Sequence, residues 1–282
     1  MGRRSLVWLC HYPRMGESLA YVLGGERDEI ARLDEQSAFH EAATQHFLEA
    51  AGIKPGMRVL DLGTGLGHVA RLTAALVGKD GEVVGVDAQP GLLAIARERS
   101  AGLANVRFVE GDVRHHREEG RFDAVVGRLI LFHLADPAAV VRHHAEALQP
   151  SGLVLAIDFD IGSSRSEPPV ALAETARDYV LASFRAAGAD PVIGAHLASI
   201  LGDAGLADVT SLGIQTYIAP GDPIAPRLLA GVVGTLAAAT GGAGLPPELE
   251  LETLEQRLGE ALLEAESVLL PPTLVGAWGR TA

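Results

Sequence analysis

Residues 58–68, Arg-Val-Leu-Asp-Leu-Gly-Thr-Gly-Leu-Gly-His, decide the fold of this chain. The apolar beginning predicts a buried strand, and the glycines that follow predict a tight loop before a helix. In dinucleotide-binding loops, glycines stand at the first, third and sixth positions. Here the sixth position is His68, and the glycines Gly63, Gly65 and Gly67 fall at the first, third and fifth positions instead.

An acidic residue, Asp61, stands two positions before the first glycine, and its carboxylate is expected beside a cation. The pattern acid-x-Gly-x-Gly-x-Gly resembles motif I of the class I S-adenosylmethionine-dependent methyltransferases, in which the loop wraps the amino-acid end of the cofactor. The resemblance implies that Asp61, Gly63, Gly65 and Gly67 bind the methionine portion, and Thr64 in the same loop is a further candidate for binding the cofactor.

Three further segments follow at distances that fit this family. The predicted strand 82–87 ends in Asp87, 20 residues after Gly67, where a carboxylate with its neighbour Ala88 could hold ribose hydroxyls. The same spacing occurs in enzymes that use NAD, so this acid supports a ribose-bearing cofactor without choosing between the two. A third strand ends at Asp112 and Val113, which resemble the family position that meets adenine.

The fourth predicted strand, residues 121–127, is followed by Arg128 and His133, and its end is expected to face the reacting methyl group. Residues 147–152 and the strand 153–158 resemble the family's Leu-Lys-Pro-Gly-Gly turn and fifth strand. The resemblance therefore extends in order over about residues 50–160.

The resemblance implies an α/β fold. This fold is a three-layer sandwich with a helical lid. Its sheet has seven mostly parallel strands in the order 3-2-1-4-5-7-6, and the last strand is antiparallel. We expect a weakly ordered tail over 1–15, N-terminal lid helices over 16–52, and a Rossmann-like domain over 53–282 with helical cap insertions at about 163–207 and 222–266. Helices are predicted, among others, over 41–51, 68–77, 90–100, 137–148 and 247–265.

Composition limits the partners. The 282 residues carry a net charge of −13, which disfavours nucleic acid as a partner, because phosphate backbones are held by clustered Lys and Arg. The single cysteine, Cys10, excludes a disulfide within the chain and a multi-cysteine zinc site, and so favours a reducing, cytoplasmic setting. No apolar run is long enough for a membrane span. No metal site is predicted, and a homo-oligomer stays possible.

Methyl transfer from a sulfonium is a direct displacement, so alignment and exclusion of water contribute most. A general base is needed only for some acceptors. The candidates for catalysis are His133, Tyr21 and Asp158, and Gln36 and Arg128 are further candidates for contacting the cofactor. The alternative interpretation of each is a packing, capping or ion-pairing role.

The sequence thus predicts methyl transfer from S-adenosylmethionine to a small organic acceptor, at oxygen, nitrogen or carbon, with S-adenosylhomocysteine as product and a place in specialised metabolism. Three alternatives stay open: a quinone-type C-methyltransferase, a protein or RNA methyltransferase, and a cofactor-binding protein of this fold that transfers no methyl group.

Overall fold

The computed structural model describes residue 30, residues 33–118 and residues 120–282. The predicted tail, residues 1–15, and the candidate Tyr21 lie outside the described residues. Nine strands have the following bounds in the described part: β1 Arg58–Leu62, β2 Glu82–Asp87, β3 Val106–Glu110, β4 Phe122–Arg128, β5 Leu148–Asp160, β6 Arg165–Glu167, β7 Ala207–Ile214, β8 Val268–Leu270 and β9 Thr273–Arg280.

Residues 33–39 are helical. Eight further α-helices have both ends within the described residues: α1 Glu41–Ala51, α2 His68–Val77, α3 Pro90–Arg99, α4 Pro137–Ala145, α5 Ala171–Ala186, α6 Ile193–Asp203, α7 Ile224–Thr240 and α8 Leu254–Glu264. Short 3₁₀ turns cover Leu131–His133 and Ile161–Ser163.

Seven strands form one sheet in the order β3-β2-β1-β4-β5-β9-β7. Numbered within this sheet alone, that is the predicted order 3-2-1-4-5-7-6. The first five strands pair in parallel. The last strand to join, β9, runs antiparallel, since Thr281 directly after it donates its N–H to the carbonyl of Gly152 near the start of β5, at 2.9 Å. The labels differ from the prediction because β6 and β8, which it did not include, form a separate antiparallel pair.

The chain divides into two compact units. The larger one contains the described residues up to Asp158, Ile193–Gly213 and Leu274–Ala282, and hence most of the sheet. Val83 and Val84 in β2 are both fully buried. Since successive side chains of a strand point to opposite faces, the sheet is covered on both faces at this position, as in a three-layer sandwich.

The smaller unit contains Phe159–Val192 and Ile214–Thr273. Helices α5, α7 and α8 pack together in it, and the β6–β8 pair belongs to it. Its buried side chains include Tyr179, Leu236 and Leu258. Whether this unit forms the cap predicted for the methyl acceptor stays a prediction. Among the described residues, we find no helix with both the length and the apolar character needed to cross a bilayer.

Several element boundaries differ from the prediction: β5 begins at Leu148 rather than at 153, and β3 ends at Glu110 rather than at 113. Helix α4 ends at Ala145 rather than at 148, because Leu148 already pairs with Phe122 as the first residue of β5. A residue before proline is disfavoured in a helix, and Gln149 precedes Pro150. Helix α8 begins at Leu254 rather than at 247, because residues 251–253 form a turn.

Candidate cofactor and active site

The glycine loop joins the end of β1 to the start of α2. Gly63, Gly65 and Gly67 have φ values of +65°, +52° and +75°, which residues with a side chain rarely adopt. A Cβ on Gly63 would lie 2.8 Å from Ile130, and one on Gly67 would lie 2.9 Å from Phe108. Gly65 differs, since a Cβ there would meet nothing within 4 Å. The middle glycine therefore borders open space, into which a ligand could fit.

Hydrogen bonds fix this loop against β2. The N–H of Thr64 donates to the carbonyl of Val86 at 3.0 Å, and the N–H of Gly67 donates to the carbonyl of Thr64 at 2.8 Å. The N–H of Gly65 donates to Oδ2 of Asp87 at 2.8 Å. The motif I loop and the acid at the end of β2 thus form one connected structure.

Asp61 is the most buried acid of the loop, with 1% of its surface exposed. Its Oδ2 accepts a hydrogen bond from Thr64 Oγ1 at 2.6 Å. Burial raises the pKa of Asp61 to about 7, and the Thr64 hydroxyl and the positive charge of Arg128 act in the opposite direction. A further cation beside such a buried carboxyl favours its ionised form and is attracted to it.

Arg128, at the end of β4, anchors the chain that precedes the loop. Its Nη1 donates to Oγ1 of Thr44 in α1 at 3.0 Å, and its Nη2 donates to the hydroxyl of Ser37 at 2.8 Å. Desolvation lowers the pKa of Arg128, while the charges of Asp61 and Glu41 raise it. The guanidinium therefore holds N-terminal helical residues near the acid of motif I.

Gln36 lies in the helical residues 33–39, one position before Ser37, and is half-buried. Its carbonyl accepts the N–H of His40 at 3.2 Å. A role for the Gln36 side chain toward the cofactor stays a prediction.

Asp87 has both carboxylate oxygens oriented by backbone groups. Oδ2 accepts from Gly65, as described, and Oδ1 accepts the N–H of Gln89 at 2.9 Å. Burial raises its pKa against these hydrogen bonds. Ala88 follows at an exposed position. A carboxylate fixed in this way has lone pairs left to accept hydroxyl donors.

Asp112 is engaged by a residue that the sequence did not single out. Arg114 forms an ion pair with it through Nε and Nη2, and the N–H of Arg114 donates to Oδ1 at 2.9 Å. This pairing holds the pKa of Asp112 below its usual range. Val113 is buried, and its carbonyl accepts from His144 Nε2 at 2.7 Å. The only sign of this ion pair in the sequence was that Arg114 follows Asp112 by two positions.

His133 and Asp158 belong to one local structure. Asp158, in β5, is 1% exposed. Its Oδ2 accepts the N–H groups of Leu131 at 3.2 Å and Phe132 at 3.3 Å, so it caps the 3₁₀ turn that ends with His133. The ring of His133 is exposed but packs on one side against that of Phe132, with 3.6 Å between centroids, and partial desolvation lowers its pKa.

A second contact of the N-terminal residues was also missed. The carboxylate of Asp34 accepts from Nη1 and Nη2 of Arg99, in α3, at 2.6 and 2.9 Å. It also lies 3.1 Å from Nε2 of His68, the first residue of α2. These contacts join residues far apart in the chain, so no local pattern could indicate them.

The residues present fit S-adenosylmethionine. Open space borders Gly65, a buried acid suited to an ammonium group lies beside it, and a second oriented carboxylate follows at the end of β2. Among the described residues, no group of three or more His, Cys, Asp or Glu side chains is arranged to bind a metal ion.

Comparison with known proteins agrees with the family that the glycine loop indicates. A family model described as a methyltransferase domain matches residues 53–191. The chain is 34% identical to phosphoethanolamine N-methyltransferase 1 of Arabidopsis thaliana over 118 residues, which are 41% of this chain and 24% of that protein. It is 32% identical to the ubiquinone/menaquinone biosynthesis C-methyltransferase UbiE of Ectopseudomonas mendocina over 124 residues, 43% of this chain and 48% of that protein. The chain thus spans a quarter to a half of the length of these relatives.

Among solved structures, phosphoethanolamine N-methyltransferase 2 of Haemonchus contortus, in complex with phosphomonomethylethanolamine and S-adenosylhomocysteine, matches with a TM-score of 0.53 at 21% identity. The match covers 85% of this chain and 52% of that chain, and at this identity it concerns the fold. The fold, the glycine loop and the family match agree over the same residues. Residues 53–191 of this chain therefore match a methyltransferase domain, and the fold is that of the class I, S-adenosylmethionine-dependent methyltransferases.

Proposed function

We propose that this protein transfers the methyl group of S-adenosylmethionine to a small organic acceptor and releases S-adenosylhomocysteine. The observation that carries this proposal is the connected arrangement of Asp61, the open Gly65 and Asp87, within the residues that match the methyltransferase family. A regulatory protein that only binds the cofactor would share this arrangement, so turnover has to be tested separately.

Each end of the cofactor has a proposed partner. Asp61 accepts from the ammonium group of the methionine portion, and the glycines let the backbone approach it closely. The carboxylate of Asp87 accepts from the ribose hydroxyls. Asp112 and Val113 lie at the adenine edge, where Arg114 fixes the orientation of the carboxylate.

When bound, the cofactor supplies an electrophilic methyl group on a sulfonium. The protein then has to align the acceptor with it and exclude water. For a hydroxyl or phenol acceptor, His133 is the proposed general base, since its ring is neutral at pH 7. Desolvation lowers its pKa to about 4, which makes it a weaker base than a free imidazole. Asp158 orients the turn that carries this histidine. The role of Tyr21 stays a prediction.

The proposed acceptor is a small molecule. The net charge of −13 disfavours a nucleic-acid substrate, and the relatives named above include methyltransferases of phosphoethanolamine and of quinone biosynthesis. A quinone-type acceptor methylated at carbon is the second candidate. We further propose a cytoplasmic location and leave a homo-oligomer open to test.

Calorimetric titration with S-adenosylmethionine, S-adenosylhomocysteine and NAD is the first test. The wild type should bind both sulfur cofactors and not NAD, and Asp61→Asn should lose most of that affinity. Asp80→Asn, a change at an exposed acid, should bind like the wild type. Binding of NAD, or of none of the three, would refute the proposal.

A panel of phenols, amines and quinone precursors then tests transfer by release of S-adenosylhomocysteine. Release that depends on one acceptor class identifies the substrate class. Tight cofactor binding without release for every acceptor would favour a binding protein.

A further inference from the structure

Thr64 is enclosed between motif I and β2. It is 6% exposed, and its hydroxyl donates to Oδ2 of Asp61 at 2.6 Å. Its backbone groups are also used, since its N–H donates to Val86 and its carbonyl accepts from Gly67. The hydroxyl proton therefore has a fixed partner inside the protein.

The neighbouring strand provides the space for this hydroxyl. A Cβ on Gly85, in β2, would lie 2.7 Å from Oγ1 of Thr64 and 2.7 Å from Cδ1 of Phe108. Both distances are too short for a real contact, so any side chain at 85 would displace the hydroxyl or the ring. The glycine in β2 is thus part of the structure that brings Thr64 to Asp61.

We infer that Thr64 is a positioning residue, which holds the carboxylate of Asp61 ionised and oriented for the ammonium group of the cofactor rather than contacting the cofactor itself. The inference rests on the proposed function. It changes the assignment of Thr64, which the sequence placed among the residues that bind the cofactor.

Electrostatics support this role. Burial disfavours the ionised form of Asp61, and the hydrogen bond from Thr64 is the largest influence that favours it. The other groups that act on this carboxyl are Arg128 and the N–H of Ala70, which also favour ionisation, and Asp87, which opposes it. Loss of the hydroxyl should therefore shift Asp61 toward its protonated form, which cannot pair with an ammonium group.

The test compares Thr64→Val with Thr64→Ser in calorimetric titrations with S-adenosylhomocysteine from pH 6 to pH 9. Since a hydrogen bond to a charged group is lost, Thr64→Val should bind about tenfold or more weakly at pH 6.5. This deficit should shrink steadily toward pH 9, where Asp61 ionises in both proteins. Thr64→Ser should follow the wild type.

Thr73→Val is the matched control, because this buried threonine of α2 has a hydroxyl without a hydrogen-bond partner among the described residues. It should leave the pH profile of binding unchanged. If Thr64→Val loses the same affinity at every pH, the inference is wrong, since a direct contact or a shape effect does not depend on the ionisation of Asp61. An affinity equal to that of the wild type would also overturn it.

Carbon-13 NMR of the aspartate carboxyl groups in the cofactor-free protein separates this inference from the proposed function. The Asp61 resonance, assigned with Asp61→Asn, should titrate at a higher pH in Thr64→Val than in the wild type. If the midpoint of the Asp61 titration is higher in Thr64→Val but the wild type binds no cofactor, the positioning of Asp61 is supported and the proposed function fails. If cofactor binds and the midpoint stays, the inference is wrong.

Discussion

At the scale of single residues, Asp61 sets the response to pH. Its pKa in the folded protein, about 7, lies above the ordinary value of 3.8 for an aspartate. A group with a raised pKa contributes stability that is fully present below about 3.8 and lost as the pH rises through about 7. The affinity for an ammonium ligand should change with pH in the opposite direction and rise as the pH rises, because such a ligand binds the ionised form of Asp61.

The affinity for S-adenosylmethionine should therefore weaken as the pH falls below about 7, by at most about tenfold per pH unit. Titration calorimetry at pH 6, 7 and 8 measures this. Asp61→Asn should bind weakly with little dependence on pH over this range. A wild-type affinity that is constant from pH 6 to pH 8 would contradict the placement of the ammonium group at Asp61.

Two glycines of the loop should respond differently to alanine. Gly67→Ala meets both a φ of +75° and a contact with Phe108 at 2.9 Å, so it should lower the free energy of unfolding by about 2–4 kcal/mol. Gly65→Ala meets only a φ of +52° and open space, so it should cost about 1–2 kcal/mol.

Urea denaturation and cofactor titration together check this difference. Gly65→Ala should lose cofactor affinity although it folds, because its methyl group enters the space proposed for the ligand. If Gly65→Ala binds the cofactor like the wild type, this space is not the cofactor site.

At the scale of elements, two arginines hold the N-terminal helical residues to the sheet. Arg128 is half-buried and bonds Ser37 and Thr44, whereas the Arg99–Asp34 pair is open to solvent. Arg128→Met should cost about 2–3 kcal/mol, because it removes the charged donor that bonds Ser37 and Thr44 and the positive charge that favours the ionised form of Asp61. Asp34→Asn should cost less than about 1 kcal/mol.

Hydrogen exchange of residues 33–51 distinguishes the two contacts. Protection should fall strongly in Arg128→Met and slightly in Asp34→Asn. Equal loss of protection in both variants would show that the surface ion pair contributes as much as the Arg128 guanidinium.

At the scale of the whole molecule, cofactor binding should stabilise the larger unit. At a concentration of S-adenosylhomocysteine 100 times its Kd, mass action adds about 2.7 kcal/mol, which raises Tm by roughly 5–10 °C for a chain of this size. If calorimetry shows two transitions, only one should move. NAD at equal concentration should leave Tm unchanged, and a rise with NAD would argue against the family's cofactor at this site.

Local patterns determined most of the sheet. The alternation of apolar strands and helices, ended by glycine and proline, depends on neighbouring residues, so β1 to β4 and helices α1 and α2 follow the sequence closely. The pair β6–β8 was missed because three-residue strands about 100 positions apart have no periodicity to detect. The prediction began helix α8 too early, since residues 247–253 have helix-forming composition but contain turns at 247–248 and 251–253 instead.

The sequence by itself determined the parallel sheet, the glycine loop and the acids Asp61 and Asp87, because spacing along a strand, loop and strand fixes which side chains stand at the carboxyl edge of the sheet. Only the tertiary structure decided how those acids are held. The hydroxyl of Thr64 on Asp61, the N–H of Gly65 on Asp87, Arg114 on Asp112 and the cap that Asp158 provides all depend on distances in space. Local sequence patterns do not reveal such distances, because these groups meet only once the chain has folded.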